Sequence, residues 1–326
     1  MTQATAGAPA VTHRHLRAGS LDMHIAEAGS GPLVLLLHGF PESWYSWRHQ
    51  LTALAAAGYH AVAPDQRGYC ETGPPGGPGH DAAIDQYTIL HLTGDVFALM
   101  DALGAEQAVI AGHDWGAPVA WHSALFRPDR VRGVIGMSVP YRPRGSAPPI
   151  ATLRSALGES FYMVYFQTPG VADAELSRDP EDTFRKVLYS LSGDAPRMGL
   201  IPAGGGFLDA AAEPAALPSW LTEQDIETYV TQYAKSGFTG PLNWYRNIDR
   251  NWELTSAWLH AAIRVPALFI AGDRDPVLSF VSTDGLGEFL PLLSRQVLIH
   301  ECGHWVQQER PAEVSGAMIS FLSELA

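Results

Sequence analysis

Three residues combine a reactive side chain with a matching setting. Asp114 lies in "AGHDWGAP" (Ala111–Pro118), Asp275 in "FIAGDRDPV", and His304 in "HECGHW". Each follows a short apolar run. Asp114 sits between Gly112 and Gly116, with Ala108–Ile110 before it and the helix-like Val119–Leu125 after it. A tight glycine turn between strand and helix exposes the residue at its tip. A serine at that tip would need a base to take its proton, whereas an aspartate is already anionic at neutral pH. A carboxylate can attack a saturated carbon, displace a leaving group and carry the product as an ester. The histidine then activates water to hydrolyse that ester. Such a site suits ring opening or dehalogenation, not peptide cleavage. Blander readings compete. Asp114 could be a helix N-cap, His304 a buried structural histidine, and Asp273 could replace Asp275 as the acid that orients it. Position favours Asp275.

These residues need strand ends to hold them. Buried strands are expected at Leu33–Leu37, Ala61–Ala63, Ala108–Ala111, Val131–Met137, Ala267–Ala271 and Gln296–Ile299. Short apolar runs bounded by Gly, Pro or Asp fit parallel strands covered on both faces. Helices are expected at Trp47–Ala57, Ile89–Leu103, Val119–Phe126 and Pro311–Leu325. The alternation predicts a mostly parallel, doubly wound α/β sheet. It breaks between about Tyr141 and Leu259, which is rich in aromatics and in Pro/Gly joints. A structureless loop of that length is implausible, so the reading is a helical insert. The expected division is a core of 1–140 and 259–326 with a helical cap of 141–258. Residues 1–10 read as a frayed tail, and "GPPGGPGH" (Gly73–His80) as a surface loop.

The bulk numbers exclude several classes. With 21 basic and 34 acidic residues the net charge is −13, which disfavours nucleic acid or an anionic membrane as partner. Cys70 and Cys302 are too few for a disulfide framework. The N-terminus has no secretory pattern, and the longest aliphatic run, "LVLLL", cannot span a bilayer. The expected setting is the cytoplasm. No cofactor is expected: no His/Cys pair has metal-ligand spacing with a third partner, and "AGGGF" lacks a phosphate-loop lysine.

The order nucleophile, acid, histidine is that of the α/β-hydrolase triad, and His38-Gly-Phe-Pro41 would add an oxyanion loop. From about Leu21 to the C-terminus the chain resembles the soluble epoxide hydrolases of that superfamily. The shared motifs are "HGFPESWYSWRHQ", "GHDWG", "VYFQTPGVADAEL", "KSGFTGPLNWYRN" and "CGHW". The resemblance implies an α/β-hydrolase fold with an inserted helical cap. It implies Asp114 as nucleophile, Asp275 as orienting acid and His304 as base. It also implies Tyr162 and Tyr245 as cap tyrosines that hydrogen-bond the epoxide oxygen, and the Phe40 and Trp115 amides as oxyanion donors. Trp44 and Trp47, with Trp115, are expected to line an apolar substrate pocket. The partners are then a small hydrophobic epoxide and water, with the chain a monomer or homodimer. One departure is Cys70 in "RGYC", where the family often has glycine. The alternatives are a haloalkane dehalogenase, which also uses an aspartate followed by tryptophan, and an inactive hydrolase-fold binding protein.

Overall fold

The computed structural model describes residues 9–74, 76, 83–196 and 198–325. Among them, eight strands form one sheet: β1 (Thr12–Ala18), β2 (Leu21–Ala28), β3 (Leu33–Leu37), β4 (His60–Pro64), β5 (Ala108–His113), β6 (Val131–Met137), β7 (Ala267–Gly272) and β8 (Leu293–Ile299). Their spatial order is β1-β2-β4-β3-β5-β6-β7-β8. The pairs β1·β2 and β2·β4 are antiparallel, and all others are parallel. All six expected strands are present. β1 and β2 were not expected. β1, at the edge, is exposed over most of its length and reads "THRHLRA", so it has no apolar run to signal it.

The two faces of the sheet follow from the period of two along each strand. Leu33, Leu35 and Leu37 of β3 join one buried cluster, while Val34 and Leu36 join the other. Helices α1 (Arg48–Ala56), α2 (Ile89–Ala102) and α3 (Gly116–Phe126) connect the central strands. After β6 the chain is helical until β7, with no strand among the described residues. This insert holds α4 (Pro149–Leu157), α5 (Tyr162–Tyr165), α6 (Val171–Arg178), α7 (Pro180–Ser190), α8 (Glu223–Ser236), α9 (Thr239–Arg246) and α10 (Ile248–Leu254). Three short or terminal helices follow β7: α11 (Leu286–Phe289), α12 (Val306–Glu309) and α13 (Pro311–Glu324).

The insert is bolted to the core by aromatic side chains from both. Tyr233 Oη donates to Glu42 O at 2.9 Å, Trp244 Nε1 to Arg67 O at 3.1 Å, and Trp305 Nε1 to Leu188 O at 2.7 Å. Each ring buries apolar area while its polar tip finds a partner. Cys70 adopts φ +45°, the left-handed region that favours glycine, and its N–H donates to Ser236 Oγ of the insert at 2.9 Å. Both cysteines are free and buried. Residues 1–8 of the expected tail and most of the Gly73–His80 loop lie outside the described residues.

Candidate active site

Parallel strands end on one side of the sheet, and loops there can converge. β5 delivers the chain to Asp114, whose φ is +48°. Non-glycine residues seldom adopt that conformation, and it is found where surrounding structure enforces it. The enforcement is steric. A Cβ on Gly116 would lie 2.0 Å from Leu37 O, and one on Gly112 would lie 2.0 Å from Gly116 O. Only glycine at both positions lets α3 start this close to β3 and β5. The turn lifts the Asp114 carboxylate towards the loop after β3, where the Phe40 N–H donates to Oδ1 at 2.7 Å. Trp115 follows at the N-cap of α3. Among the described residues its N–H makes no hydrogen bond to that carboxylate.

His304, after β8, lies between two carboxylates. Its Nδ1 is 3.1 Å from each oxygen of Asp275, and its Nε2 is 3.4 Å from Asp114 Oδ2. Asp275 is itself fixed, since Oδ1 accepts the Val277 N–H at 2.9 Å. Asp273 faces elsewhere, with Oδ2 2.7 Å from His300 Nδ1. The structure therefore brings Asp275, not Asp273, to His304. Burial disfavours the charged imidazole. The charges of Asp275 and Asp114, with their hydrogen bonds, outweigh that and hold His304 well above the ordinary histidine range. Burial likewise pushes the Asp114 carboxyl up. His304, His113 and the Phe40 amide overcome it and leave Asp114 below the usual carboxylate range. Each shift favours the ionised form of the pair, carboxylate and imidazolium.

Above Asp114 is a cavity of about 280 Å³ lined by Asp114, His304, Phe40, Tyr162, Tyr245 and further apolar side chains. Tyr162 comes from α5 and Tyr245 from α9, and their rings lie 6.0 Å apart at 77°. Burial first, then the Asp114 charge, raises both phenols well above their normal range. Both therefore stay protonated as O–H donors. The tryptophan expectations need correction. Trp47 is fully buried in the cluster on the other face of the sheet, with α1 and α13. Trp44 packs edge-on against His13 at 4.5 Å. Neither lines the cavity. Trp115 stands behind it, edge-on to Tyr245 at 5.2 Å. An apolar aromatic ring signals burial, but not which face of the sheet it is buried on.

Sequence reasoning missed Glu42. Its fully buried carboxylate accepts from Gly39 N (3.0 Å), Gln307 Nε2 (2.8 Å) and Gln308 Nε2 (3.0 Å), and lies 2.7 Å from His113 Nδ1. His113 Nε2 is 2.7 Å from His304 O. One carboxylate thus ties the Phe40 loop to the His304 loop. His38 flanks the same loop: its Nε2 accepts the Gln66 N–H at 3.1 Å, and burial lowers its pKa and keeps it neutral. Among the described residues no cluster of three His, Cys, Asp or Glu side chains is placed to hold a metal. No helix there is long and apolar enough to cross a membrane.

Comparison with known proteins places this geometry. A family model described as alpha/beta hydrolase fold matches residues 32–311. Epoxide hydrolase A of Mycobacterium tuberculosis is 49% identical over 98% of this chain and 99% of its own. Epoxide hydrolase 3 of Siraitia grosvenorii is 42% identical over 96% and 99%. The crystal structure of epoxide hydrolase A from Mycobacterium thermoresistibile superposes with a TM-score of 0.90 at 48% identity, covering 96% of this chain and 98% of that one. An epoxide hydrolase from an endophytic Streptomyces gives 0.92 at 44%, over 97% and 96%. With an aspartate at the elbow and relatives this similar over their whole length, the chain belongs to the epoxide hydrolases of the α/β-hydrolase fold.

Proposed function

We propose that the protein converts a small apolar epoxide and water to a vicinal diol through an ester on Asp114. The observation that carries this is the Asp114 carboxylate itself. Oδ1 is held by the Phe40 amide, and Asp114 shares its cavity with His304, Tyr162 and Tyr245. Because Oδ1 is engaged, Oδ2 is the attacking atom. It forms a C–O bond to an epoxide carbon, the ring C–O bond breaks, and the alkoxide takes a proton delivered by the tyrosines. Water, deprotonated by His304, then adds to the ester carbonyl. The charge that develops on Oδ1 is already at the Phe40 amide. Collapse breaks the ester C–O bond, the departing alkoxide takes the proton of the carboxyl group it leaves, and the diol and the Asp114 carboxylate result. Trp115 N–H is a second donor in this reading. Residues 141–258 act as the cap over the core of 1–140 and 259–326. The setting is the cytoplasm, and the chain works as monomer or homodimer. The test is a panel of aryl, alkyl and fatty-acyl epoxides assayed for diol, with haloalkanes assayed for halide release. Halide release matching epoxide turnover would favour dehalogenation instead.

The pKa pattern accounts for the timing. The resting imidazolium cannot accept a proton. Esterification neutralises Asp114, one of the two anions holding that proton, so the His304 pKa falls; its proton replaces the one the tyrosines gave to the alkoxide, and the neutral ring becomes a base. The sign can be checked without substrate. Asp114→Asn removes the same charge, so the NMR titration of the His304 ring should move to lower pH than in wild type. A midpoint that is unchanged or higher would contradict this account.

Asp275→Asn should keep the fold and slow ester hydrolysis, by up to about 10⁴ where the wrong tautomer is fixed, with ring opening much less affected. Asp273→Asn should leave both steps near wild type. Single-turnover rates for the two variants separate the assignments, and the opposite pattern would make Asp273 the orienting acid.

A further inference from the structure

Glu309, at the end of α12, is a buried carboxylate that neither the triad nor the cavity uses. Oε2 accepts two backbone N–H groups, Gly193 and Gly303, each at 2.9 Å, and Oε1 accepts the Trp305 N–H at 3.1 Å. Gly303 and Trp305 flank His304. Gly193 belongs to the helical insert, in the turn after α7. The neighbouring Leu191 lines the cavity, and its carbonyl accepts the His304 N–H at 2.8 Å. The two segments touch backbone to backbone: a Cβ on Gly303 would lie 2.3 Å from Gly193 N, and one on Gly193 would lie 2.9 Å from Gly303 N. No side chain can separate them, and Glu309 reaches both from one side.

We propose that Glu309 is a positioning residue that clamps the cap turn at Gly193 to the loop carrying His304, and so sets the imidazole to take a proton from the attacking water. This rests on the reading of His304 as the base for ester hydrolysis. Three N–H donors on two oxygens require a carboxylate. An amide of the same size has one accepting oxygen, and its NH₂ would face an N–H. Burial, the largest effect, leaves the Glu309 carboxyl above its usual range, with the three amides pulling against it, so the groups that favour its charged form are dipoles in these two segments. The consequence is selective. Ring opening depends on Asp114, the Phe40 amide and the tyrosines, none of which Glu309 touches. Ester hydrolysis depends on where His304 stands, and small displacements of a positioned group can cost on the order of 10²-fold.

The experiment is rapid-quench single turnover on a terminal aryl epoxide, with intact-protein mass spectrometry following the ester on Asp114. Glu309→Gln should open the ring at nearly the wild-type rate and hydrolyse the ester roughly ten- to a hundredfold more slowly, so that ester accumulates and kcat falls with little change in kcat/KM. Gly193→Ala, which displaces the other half of the clamp and leaves Glu309 intact, should shift the partition the same way. It carries the test if Glu309→Gln does not fold. A melting temperature for each variant separates stability from partition, since a merely structural role would lower stability and leave the ratio of the two steps alone. Unchanged ester decay, or equal slowing of both steps, would overturn the proposal while leaving the covalent reading intact. Diol formation with no ester in either wild type or His304→Gln would overturn the covalent reading itself.

Discussion

His304→Gln is expected to react once and stop, holding the opened epoxide as an ester on Asp114. Nε2 of His304 sits 3.4 Å from Asp114 Oδ2, near enough to serve a water at the ester but not needed for the attack that makes it. Removing a positioned general base typically slows its step by about 10²–10⁴. The effect on turnover should therefore be near complete, while the first step survives. One side effect has a known sign. His304 is among the groups that hold the Asp114 pKa down against burial. Without it that pKa rises, and the acid limb of ring opening moves to higher pH. The variant should accordingly be tested above neutrality, where Asp114 is still ionised. The measurement is a mass gain equal to the epoxide, mapped to the peptide bearing Asp114 and absent in Asp114→Ala. A folded His304→Gln protein that stays unmodified while wild type turns over would mean direct attack by water, and the carboxylate at the elbow would need another explanation.

The parts of this site legible in the sequence are those whose geometry is local. Gly112, Asp114 and Gly116 announce a sharp turn because backbone contacts near 2 Å exclude any Cβ at the two glycines. Asp275 and His304 were visible as polar residues just past apolar runs, and the parallel sheet brings such ends together. Tyr162 and Tyr245 became visible only through the resemblance of their flanks, since nothing about a tyrosine in a helix says which way its hydroxyl points. Glu42 and Glu309 were not legible. Glu42 is held by side chains far off in sequence, His113, Gln307 and Gln308, and Glu309 by the amide of Gly193, and neither set of partners carries a sequence signature. Trp44 and Trp47 misled because hydrophobicity marks a residue as inside without naming the compartment. β1 escaped for the opposite reason: as an exposed edge strand it has almost no core face.

The double variant Tyr162→Phe/Tyr245→Phe should nearly abolish ring opening. The two phenols enter the cavity from separate helices of the insert, their rings 6.0 Å apart, and each can donate one hydrogen bond. An epoxide oxygen becomes an alkoxide as its ring bond breaks. Unlike a halide, it must be met by donors able to give up a proton. Burial and the nearby Asp114 charge raise both phenols, which ensures that they arrive as O–H and not as phenolate. Loss of one donor to a developing oxyanion costs ~2.7–4 kcal/mol, or about 10²–10³ in rate. Each single variant should lie in that range. The double should fall further, though short of the product of the two, because groups acting on one atom are not additive. The fold should hold, since phenylalanine keeps the edge-to-face packing of Tyr245 on Phe40, Phe166 and Trp115. The readout is the single-turnover rate of ester formation on folded protein, not the steady-state rate, because only the first step uses the tyrosines in this way. Ester formation at the wild-type rate in the double variant would remove both residues from the chemistry.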